Sequence, residues 1–295
     1  MNIMLVGGIS WMMRSLTIKL HKEDHRLYVL TGSRDPGERY PHAFERYNFP
    51  YDSPSVEEVF RSVQPDVTIL LGAFDGNFPG KDPKREAVRF CAGLQNLLLS
   101  WAAMEKGRLL YLSSAEVFGE SCATPVSEEV TPSPRGIRPL MLYQGEESCR
   151  FYTEQMKRDV MVLRLDRLYD VPTSARETSE MVCAKKCLDA FRDGAVSFRR
   201  NHRVGLTYLG DAVESIQKLA CCQTHRAWLY HLSSGQGYSE AQIADTICEV
   251  LGEKVERVDN TLADSYQVVL SNDRLKREFG YTSKRTPEQI IRETL

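Results

Sequence analysis

Two stretches of the chain carry residues whose types and spacing could do chemistry. In the first, "IMLVGGIS", an apolar segment runs into Gly7, Gly8 and Ser10, and a helix is predicted to begin at Trp11. A strand that ends in glycines before a helix can hold a phosphate, because small residues let the backbone N–H groups approach it closely. This stretch is therefore a candidate dinucleotide-binding loop.

In the second stretch, "YQGEE", Glu147 follows Tyr143 by four residues, so that one helical turn places both side chains on the same face. A tyrosine has a pKa of about 10, so that about one molecule in a thousand is ionised at pH 7. A cation lowers that pKa, whereas an ionised Glu147 raises it and is expected to accept a hydrogen bond from the hydroxyl. We therefore expect a poor general base here, since Arg150 is predicted to point elsewhere and Arg138 to precede the helix.

The elements that must position these residues alternate between strands and helices. Apolar strands are predicted in "IMLVG", "RLYVLTGS", "VTILLGA", "RLLYLSS" and "VMVLRL". Between them, helices are predicted over 11–21, in "VEEVFRSVQ", over 85–106 with a stop at Gly107, and from Tyr143 to about Lys157. This alternation predicts an α/β fold, a Rossmann-type doubly wound parallel sheet with helices on both faces.

The pattern loosens after about residue 170. "SEAQIADTICEVLG" predicts a helix with Ser239 as N-cap and Gln242 in capping-box position, and "RTPEQIIRETL" repeats these signals with Thr286 and Gln289. We predict a Rossmann-like lobe over 1–170, with parts of 200–235 returning to it, and a small C-terminal α/β substrate lobe over 171–295. The last helix lacks a C-cap glycine, which leaves a fraying end and excision from a longer protein as alternatives.

Composition excludes several classes of function. The net charge of −2 gives no reason to expect nucleic acid or an anionic membrane as a partner. The apolar runs are too short to span a bilayer and no signal peptide is expected, so a cytoplasmic location is predicted. The eight cysteines lack a C-x-x-C pair and are expected to be reduced, and the spacing of the six histidines indicates no metal site.

Seven or more stretches, in order, resemble the extended short-chain dehydrogenase/reductase family, in its branch of NAD-dependent epimerases and dehydratases of nucleotide sugars. Among them are "LVGGISWMMRSL", "LLYLSSAEVFGE", "YQGEE", "VLRLDRLYDVP" and "LTYLGDAVESI". The resemblance covers nearly the whole chain and implies an NAD- or NADP-binding lobe and a substrate lobe. It also implies a catalytic serine or threonine, a tyrosine and a lysine, at the positions of Ser114, Tyr143 and Glu147.

The sequence departs from the family at the sites of chemistry. The glycine positions of the phosphate loop fall on Gly7, Ser10 and Met13. A buried Met13 would overpack the contact between the helix and the sheet, at a cost of about 1–3 kcal/mol. The second strand ends in "LTGSR" without the carboxylate that would bind ribose hydroxyls. Arg34 could instead pair with a 2′-phosphate, so that a surviving site would favour NADP, or it is a solvated arginine in a turn.

These departures favour a non-catalytic, pseudoenzyme-type member of the family that acts as a binding, regulatory or dimerisation module. Ser114 and Tyr143 would then be remnants, and no cofactor is expected; if a site survives, Gly7, Gly8, Ser10 and Arg34 would bind NADP or NAD. A nucleotide sugar is a possible ligand. Relatives of this kind occur in membrane-associated exopolysaccharide proteins, which makes a role in exopolysaccharide biosynthesis a hypothesis.

Family members dimerise through two helices, so the resemblance predicts a homodimer through the helices at 85–106 and 143–158. The first carries a long apolar stripe, which either faces a partner or belongs to the core: Leu94, Leu97, Leu98, Trp101 and Met104. Four arginines either bracket an acidic ligand or form a solvated surface: Arg164, Arg199, Arg200 and Arg203. The alternative function is an active NADP-dependent epimerase, dehydratase or reductase with atypical catalytic residues.

Overall fold

The computed structural model describes residues 1–7, 11–32, 40, 42–72, 82–120, 124–171, 182–252, 255–262 and 265–295. Its helices are α1 (Trp11–His21), α2 (Ser55–Val63), α3 (Pro83–Ala102), α4 (Ile137–Glu154), α5 (Val182–Asp193), α6 (Leu209–Cys221), α7 (Glu240–Leu251), α8 (Asp273–Phe279) and α9 (Pro287–Thr294). Its strands are β1 (Asn2–Val6), β2 (Arg26–Leu30), β3 (Glu45–Tyr47), β4 (Val67–Leu71), β5 (Arg108–Ser114), β6 (Val160–Leu165), β7 (Arg167–Tyr169), β8 (Ala195–Phe198), β9 (His202–Tyr208), β10 (Leu229–Leu232), β11 (Gly237–Ser239), β12 (Glu256–Asp259) and β13 (Tyr266–Val268).

The central sheet is parallel and has seven strands in the order β10-β6-β5-β4-β1-β2-β3. In its register, Leu5 of β1 lies opposite Val29 of β2 on one side and Ile69 of β4 on the other. The strand order reverses between β1 and β4, as in a Rossmann-type sheet, and ligands of such sheets bind beyond the carboxyl ends of the strands at that point. The predicted fold class is confirmed.

Contacts along the chain divide it into two compact units. Unit 1 consists of Met1–Ser113, Pro134–Arg164 and Ile216–Tyr230, and unit 2 of Ser114–Ser133, Leu165–Ser215 and His231–Leu295. Unit 2 contains the sheet β11-β9-β13, in which β7 also pairs with β9, and the pair β12-β8. Each unit therefore draws on several separate parts of the sequence.

Each unit has its own hydrophobic core. In unit 1, the apolar stripe from Leu94 in α3 to Met104 just after it packs with residues of the sheet and of α2 and α4, and the Trp101 ring meets Tyr152 edge-on at 5.8 Å. All five residues of this stripe are buried, so that the stripe is core. In unit 2, apolar residues of α5, α7 and α9 enclose β8 and β9.

Local capping signals explain several helix ends. Ser239 and Thr286 each accept a hydrogen bond from the backbone N–H of the third helical residue, Gln242 and Gln289, whose side chains bond back to the caps. Both predicted capping boxes are confirmed. Such boxes depend only on neighbouring residues, which makes them readable from sequence.

Two helix boundaries differ from those predicted. Helix α3 ends at Ala102 and not at Gly107, because the Arg158 guanidinium donates hydrogen bonds to the carbonyls of Ala102 and Met104 at 2.8 and 2.6 Å. A cation at a helix C-terminus also interacts favourably with the helix dipole. Helix α4 begins at Ile137, six residues before Tyr143, so that Arg138 lies inside the helix and not before it.

For disulfides, metal sites and membrane-spanning helices, the structure can be read only over the described residues. Within the described ranges, all seven cysteines are free and no three potential ligands are grouped as a metal site would require. No described helix has both the length and the apolar composition needed to cross a membrane.

Candidate functional site

The carboxyl end of β1 requires the glycine that is found there. Gly7 has a φ of +134°, and a Cβ added to it would lie 2.4 Å from the Cβ of Leu71 at the end of β4. Its N–H donates to the carbonyl of Leu30 at the end of β2, at 3.1 Å. Gly7 thus joins three strand ends at the place where the strand order reverses. Gly8, Ser10 and Arg34 lie outside the described residues, so their predicted roles stay predictions.

Helix α1 follows this strand end and turns Met13 inward. The Met13 side chain is buried, as predicted, and its carbonyl accepts a hydrogen bond from the Thr17 hydroxyl at 2.7 Å. A long side chain therefore fills the position at which a glycine would let the helix approach the sheet more closely.

The carboxyl end of β5 carries two serines with different roles. The Ser114 hydroxyl accepts a hydrogen bond from the backbone N–H of Glu116 at 3.2 Å and so caps the short 3₁₀ helix Ala115–Phe118. Ser113, in contrast, is buried, and its hydroxyl donates to Glu146 of α4 at 2.5 Å. The predicted site residue Ser114 therefore has a structural task, whereas its neighbour contacts the helix that carries Tyr143.

Glu146 is the residue that sequence reasoning missed. Its carboxylate is fully buried and accepts three hydrogen bonds from the Arg164 guanidinium of β6, at 3.0, 3.1 and 2.7 Å. A charge removed from water needs such a partner, because its solvation is otherwise lost. A signal was present in the sequence, since an arginine inside the apolar strand "VMVLRL" requires a buried carboxylate somewhere in the fold.

The Glu146–Arg164 ion pair fixes which face of α4 meets the sheet. Leu142, one turn before Glu146, is buried against the loop after β4, where a Cβ on Gly72 would lie 2.9 Å from the Leu142 Cδ2. Gly145 lies so close to Tyr111 that a Cβ there would be 2.0 Å from its hydroxyl oxygen. Tyr143 and Glu147 each come one residue later and are rotated by about 100° around the helix axis.

Tyr143 is only partly buried, and charges of both signs surround it. Burial raises the pKa of Tyr143 above its usual value, and Glu147 raises this pKa further, while Arg150 and Arg164 lower it. The predicted direction is therefore right, although burial is the largest cause. Arg150 forms an ion pair with Glu147, so the prediction that it points elsewhere was wrong. Among the described residues, Glu147 bonds to Arg150 and not to the Tyr143 hydroxyl.

Three of the four arginines that were candidates for binding an acidic ligand are paired with a carboxylate of their own unit. Arg164 is buried against Glu146, Arg199 donates to Glu240 at 2.9 Å, and Arg200 pairs with Asp259 at 2.6 Å. The interpretation of Arg164 as part of a solvated surface is therefore wrong. Arg164 is buried, whereas the Arg200 side chain is 73% exposed, so its pair with Asp259 contributes little to stability.

Replacing Arg164 by methionine should reduce the free energy of unfolding by about 3–5 kcal/mol, because Glu146 would remain buried without its cation. Urea unfolding at pH 7 measures this loss. The matched control is Arg61→Met, which breaks the exposed Arg61–Glu57 pair of 2.9 Å and should change stability by less than about 1 kcal/mol. Equal losses in both variants would contradict a special role for the buried pair.

Glu147→Gln should lower the pKa of Tyr143, and Arg150→Gln should raise it, because the two charges act on the hydroxyl with opposite signs. A titration of the Tyr143 side chain by carbon-13 NMR measures both shifts. Glu154→Gln, farther along the exposed part of α4, is the control that should leave the midpoint unchanged. If Glu147→Gln left it unchanged as well, Glu147 would not act on Tyr143.

Comparisons with known proteins agree with this geometry. The RmlD substrate binding domain family matches residues 1–274. No curated protein matches the sequence. Among solved structures, a UDP-glucose 4-epimerase of Thermotoga maritima, crystallised with UDP-glucose, is 19% identical with a TM-score of 0.84, and the match covers 100% of this chain and 97% of that one.

Two further solved structures have the same fold. A UDP-glucuronic acid 4-epimerase of Bacillus cereus, in complex with UDP-glucuronic acid and NAD, is 14% identical with a TM-score of 0.83, covering 99% of this chain and 96% of that one. A dTDP-glucose 4,6-dehydratase of Bacillus anthracis, in complex with NAD, is 16% identical with a TM-score of 0.82, covering 100% and 95%. Identities this low show the fold alone. Because the family match spans most of its length, this chain belongs to the RmlD substrate binding domain family, within the extended short-chain dehydrogenases/reductases.

Proposed function

We propose that this chain is a non-catalytic member of its family, which acts as a binding, regulatory or dimerisation module. The observation that carries the proposal is the charge next to Tyr143. The position four residues later, where the resemblance implies a lysine, holds Glu147, and the pKa of Tyr143 is raised. Proton transfer through a phenol at neutral pH needs the opposite shift.

The sequence contains no tyrosine with a lysine at that spacing. All thirteen tyrosines have another residue four positions later, and the sequence of α4 contains no lysine at all. Arg150 lowers the pKa of Tyr143, but its guanidinium is already paired with Glu147. Burial and Glu147 outweigh Arg150 in their effect on this pKa, so that the phenol stays protonated at pH 7.

The surface of α4 that meets the sheet also argues against catalysis. It carries the apolar Leu142 and the carboxylate of Glu146, whose charge Arg164 neutralises. Neither group supplies a cation for a nicotinamide ribose. The buried Met13 occupies the space between α1 and the sheet. These residues do not fit a catalytically bound NAD or NADP, although the glycine that ends β1, Gly7, is retained.

A nucleotide sugar is the ligand we propose for a binding or regulatory role. Solved structures of the same fold hold UDP-glucose or UDP-glucuronic acid. Two further parts of this hypothesis concern location. The cytoplasm is predicted from the short apolar runs of the sequence, whereas a place in a larger membrane-associated exopolysaccharide assembly rests on resemblance alone.

The second candidate function is an active NADP-dependent epimerase, dehydratase or reductase. The retention of Ser114 and Tyr143 favours it, together with the lowering of the Tyr143 pKa by Arg150. In that case Gly7, Gly8, Ser10 and Arg34 would hold the cofactor.

A homodimer through α3 and α4 is supported by their exposed faces. The two helices contact each other through Cys91 and Met141, whose sulfur atoms are 3.6 Å apart, and through Gln95 and Ser148 at 3.2 Å. Beside this seam, apolar side chains face solvent: Val88 is 65% exposed, Leu99 62% and Phe151 53%. An apolar surface of this kind on two adjacent helices suits a second copy of the chain.

Titration with NAD⁺, NADP⁺ and UDP-glucose tests the ligand. A compound present at 100 times its dissociation constant stabilises the protein by about 2.7 kcal/mol, which a thermal shift assay detects readily. We expect a shift with UDP-glucose, none with either dinucleotide, and no hydride transfer. Glu147→Lys should not restore hydride transfer, because Ser10 and Met13 still occupy the glycine positions of the phosphate loop. Turnover by the wild type, or its recovery in Glu147→Lys, would contradict the proposal.

Phe151→Glu should convert the proposed dimer into a monomer, because it places a charge in the apolar face of α4. Sedimentation velocity measures the change. The matched control is Phe191→Glu on α5 in unit 2, where the side chain is 76% exposed but lies outside the proposed interface. A wild-type protein that is monomeric at micromolar concentration would rule out the dimer, and dissociation by the control alone would place the interface on α5.

A further inference from the structure

Unit 2 contains a buried carboxyl to which no described residue supplies a cation. Asp166 lies between β6 and β7, its carboxyl is buried, and its Oδ1 has no hydrogen-bond partner among the described residues. The space for it is made by Gly205 of β9, where an added Cβ would lie within 2.3–2.4 Å of three carboxyl atoms. An ionised carboxylate in such a place loses its hydration without compensation.

The hydrogen bonds of Ser233 determine where the proton must be. The Ser233 hydroxyl oxygen lies 2.5 Å from Asp166 Oδ2 and 2.9 Å from the carbonyl oxygen of Leu270, and it accepts a hydrogen bond from the Gly235 N–H at 2.9 Å. A hydroxyl has one proton and can donate only once. If Asp166 is ionised, Ser233 cannot donate fully to both oxygens.

A protonated Asp166 resolves this competition. Its O–H donates to Ser233, Ser233 donates to Leu270, and the second lone pair of Ser233 accepts the Gly235 N–H. Each of these hydrogen-bonding groups then has a partner except Asp166 Oδ1, which carries no charge in the protonated acid. We propose that Asp166 is protonated in the folded protein and acts as a proton-dependent latch that joins the β6–β7 junction to Ser233 and to β9.

The surroundings of the carboxyl agree with this assignment. Among the described residues of unit 2, Tyr266 and Tyr281 interact with Asp166 electrostatically, and Arg167 follows it in the sequence. Burial raises the pKa values of both tyrosines, so neither is charged at neutral pH; the Arg167 guanidinium lies over the Tyr266 ring at 5.4 Å, and His231 directs Nδ1 to the carbonyl of Val126 at 3.1 Å. Burial raises the pKa of Asp166 to about 7, while the bonds from Ser233 and the Leu270 backbone lower it in part.

The sign of the pH dependence follows from this shift. The unfolded chain loses the Asp166 proton near pH 4, whereas the folded chain keeps it until about pH 7. Between these values the folded state binds more protons, so the latch contributes most stability at low pH and loses it as the pH rises. The folding equilibrium constant should therefore fall by about tenfold per pH unit in that window, from this group alone.

Urea unfolding of the full chain at pH 5, 6 and 7 tests the proposal. Asp166→Asn keeps the shape, cannot ionise and should remove this decrease. Asp245→Asn, which neutralises an exposed aspartate paired with Arg257 in the same unit, is the control and should retain it. A decrease of the same size in Asp166→Asn as in the wild type would overturn the latch.

A second measurement keeps the test valid if Asp166→Asn does not fold. The wild type, with carbon-13 in its aspartate carboxyl groups, should show one buried carboxyl resonance with a titration midpoint near 7. The titration of every aspartate carboxyl below pH 5 would overturn the proposal without any variant. Hydrogen exchange, corrected for intrinsic rates, should show weaker protection of β9 amides above pH 7 than at pH 5.

Discussion

The buried ion pair between Glu146 and Arg164 is the interaction on which the geometry of unit 1 depends. It joins the middle of α4 to the end of β6, and Ser113 ties the same carboxylate to β5. A charge pair without access to water tolerates little displacement, because a lost contact leaves an uncompensated ion. The rotation of α4 about its own axis is therefore fixed, and with it the set of residues that can reach the carboxyl ends of the strands.

That rotation explains why the residues that could take part in chemistry are not the residues that contact the sheet. Leu142 and Glu146 are one turn apart on the buried face, whereas Tyr143 and Glu147 occupy the next positions and are partly exposed. Each carboxylate has its own guanidinium, Arg164 in the first case and Arg150 in the second. Both carboxylates are thus neutralised, an arrangement that stabilises structure but does not make a phenol acidic.

The sequence predicted what depends on neighbouring residues or on a regular pattern. The parallel sheet followed from the alternation of apolar strands and helices, and the caps at Ser239 and Thr286 followed from residues within one turn. The end of α3 could not be predicted in this way, because Arg158 reaches it from 56 residues along the chain. The role of Glu146 was missed for the same reason, since its partner lies 18 residues away on a strand.

Asp166 and Glu146 show that this chain meets one requirement in two ways. A buried carboxyl must lose its charge or have it balanced, because the interior cannot replace the water around an ion. Arg164 balances the charge of Glu146. No described cation does this for Asp166, whose hydrogen bonds instead need a proton. The buried carboxylate of unit 1 is therefore held by an opposite charge, whereas the corresponding contact in unit 2 depends on the proton concentration around it.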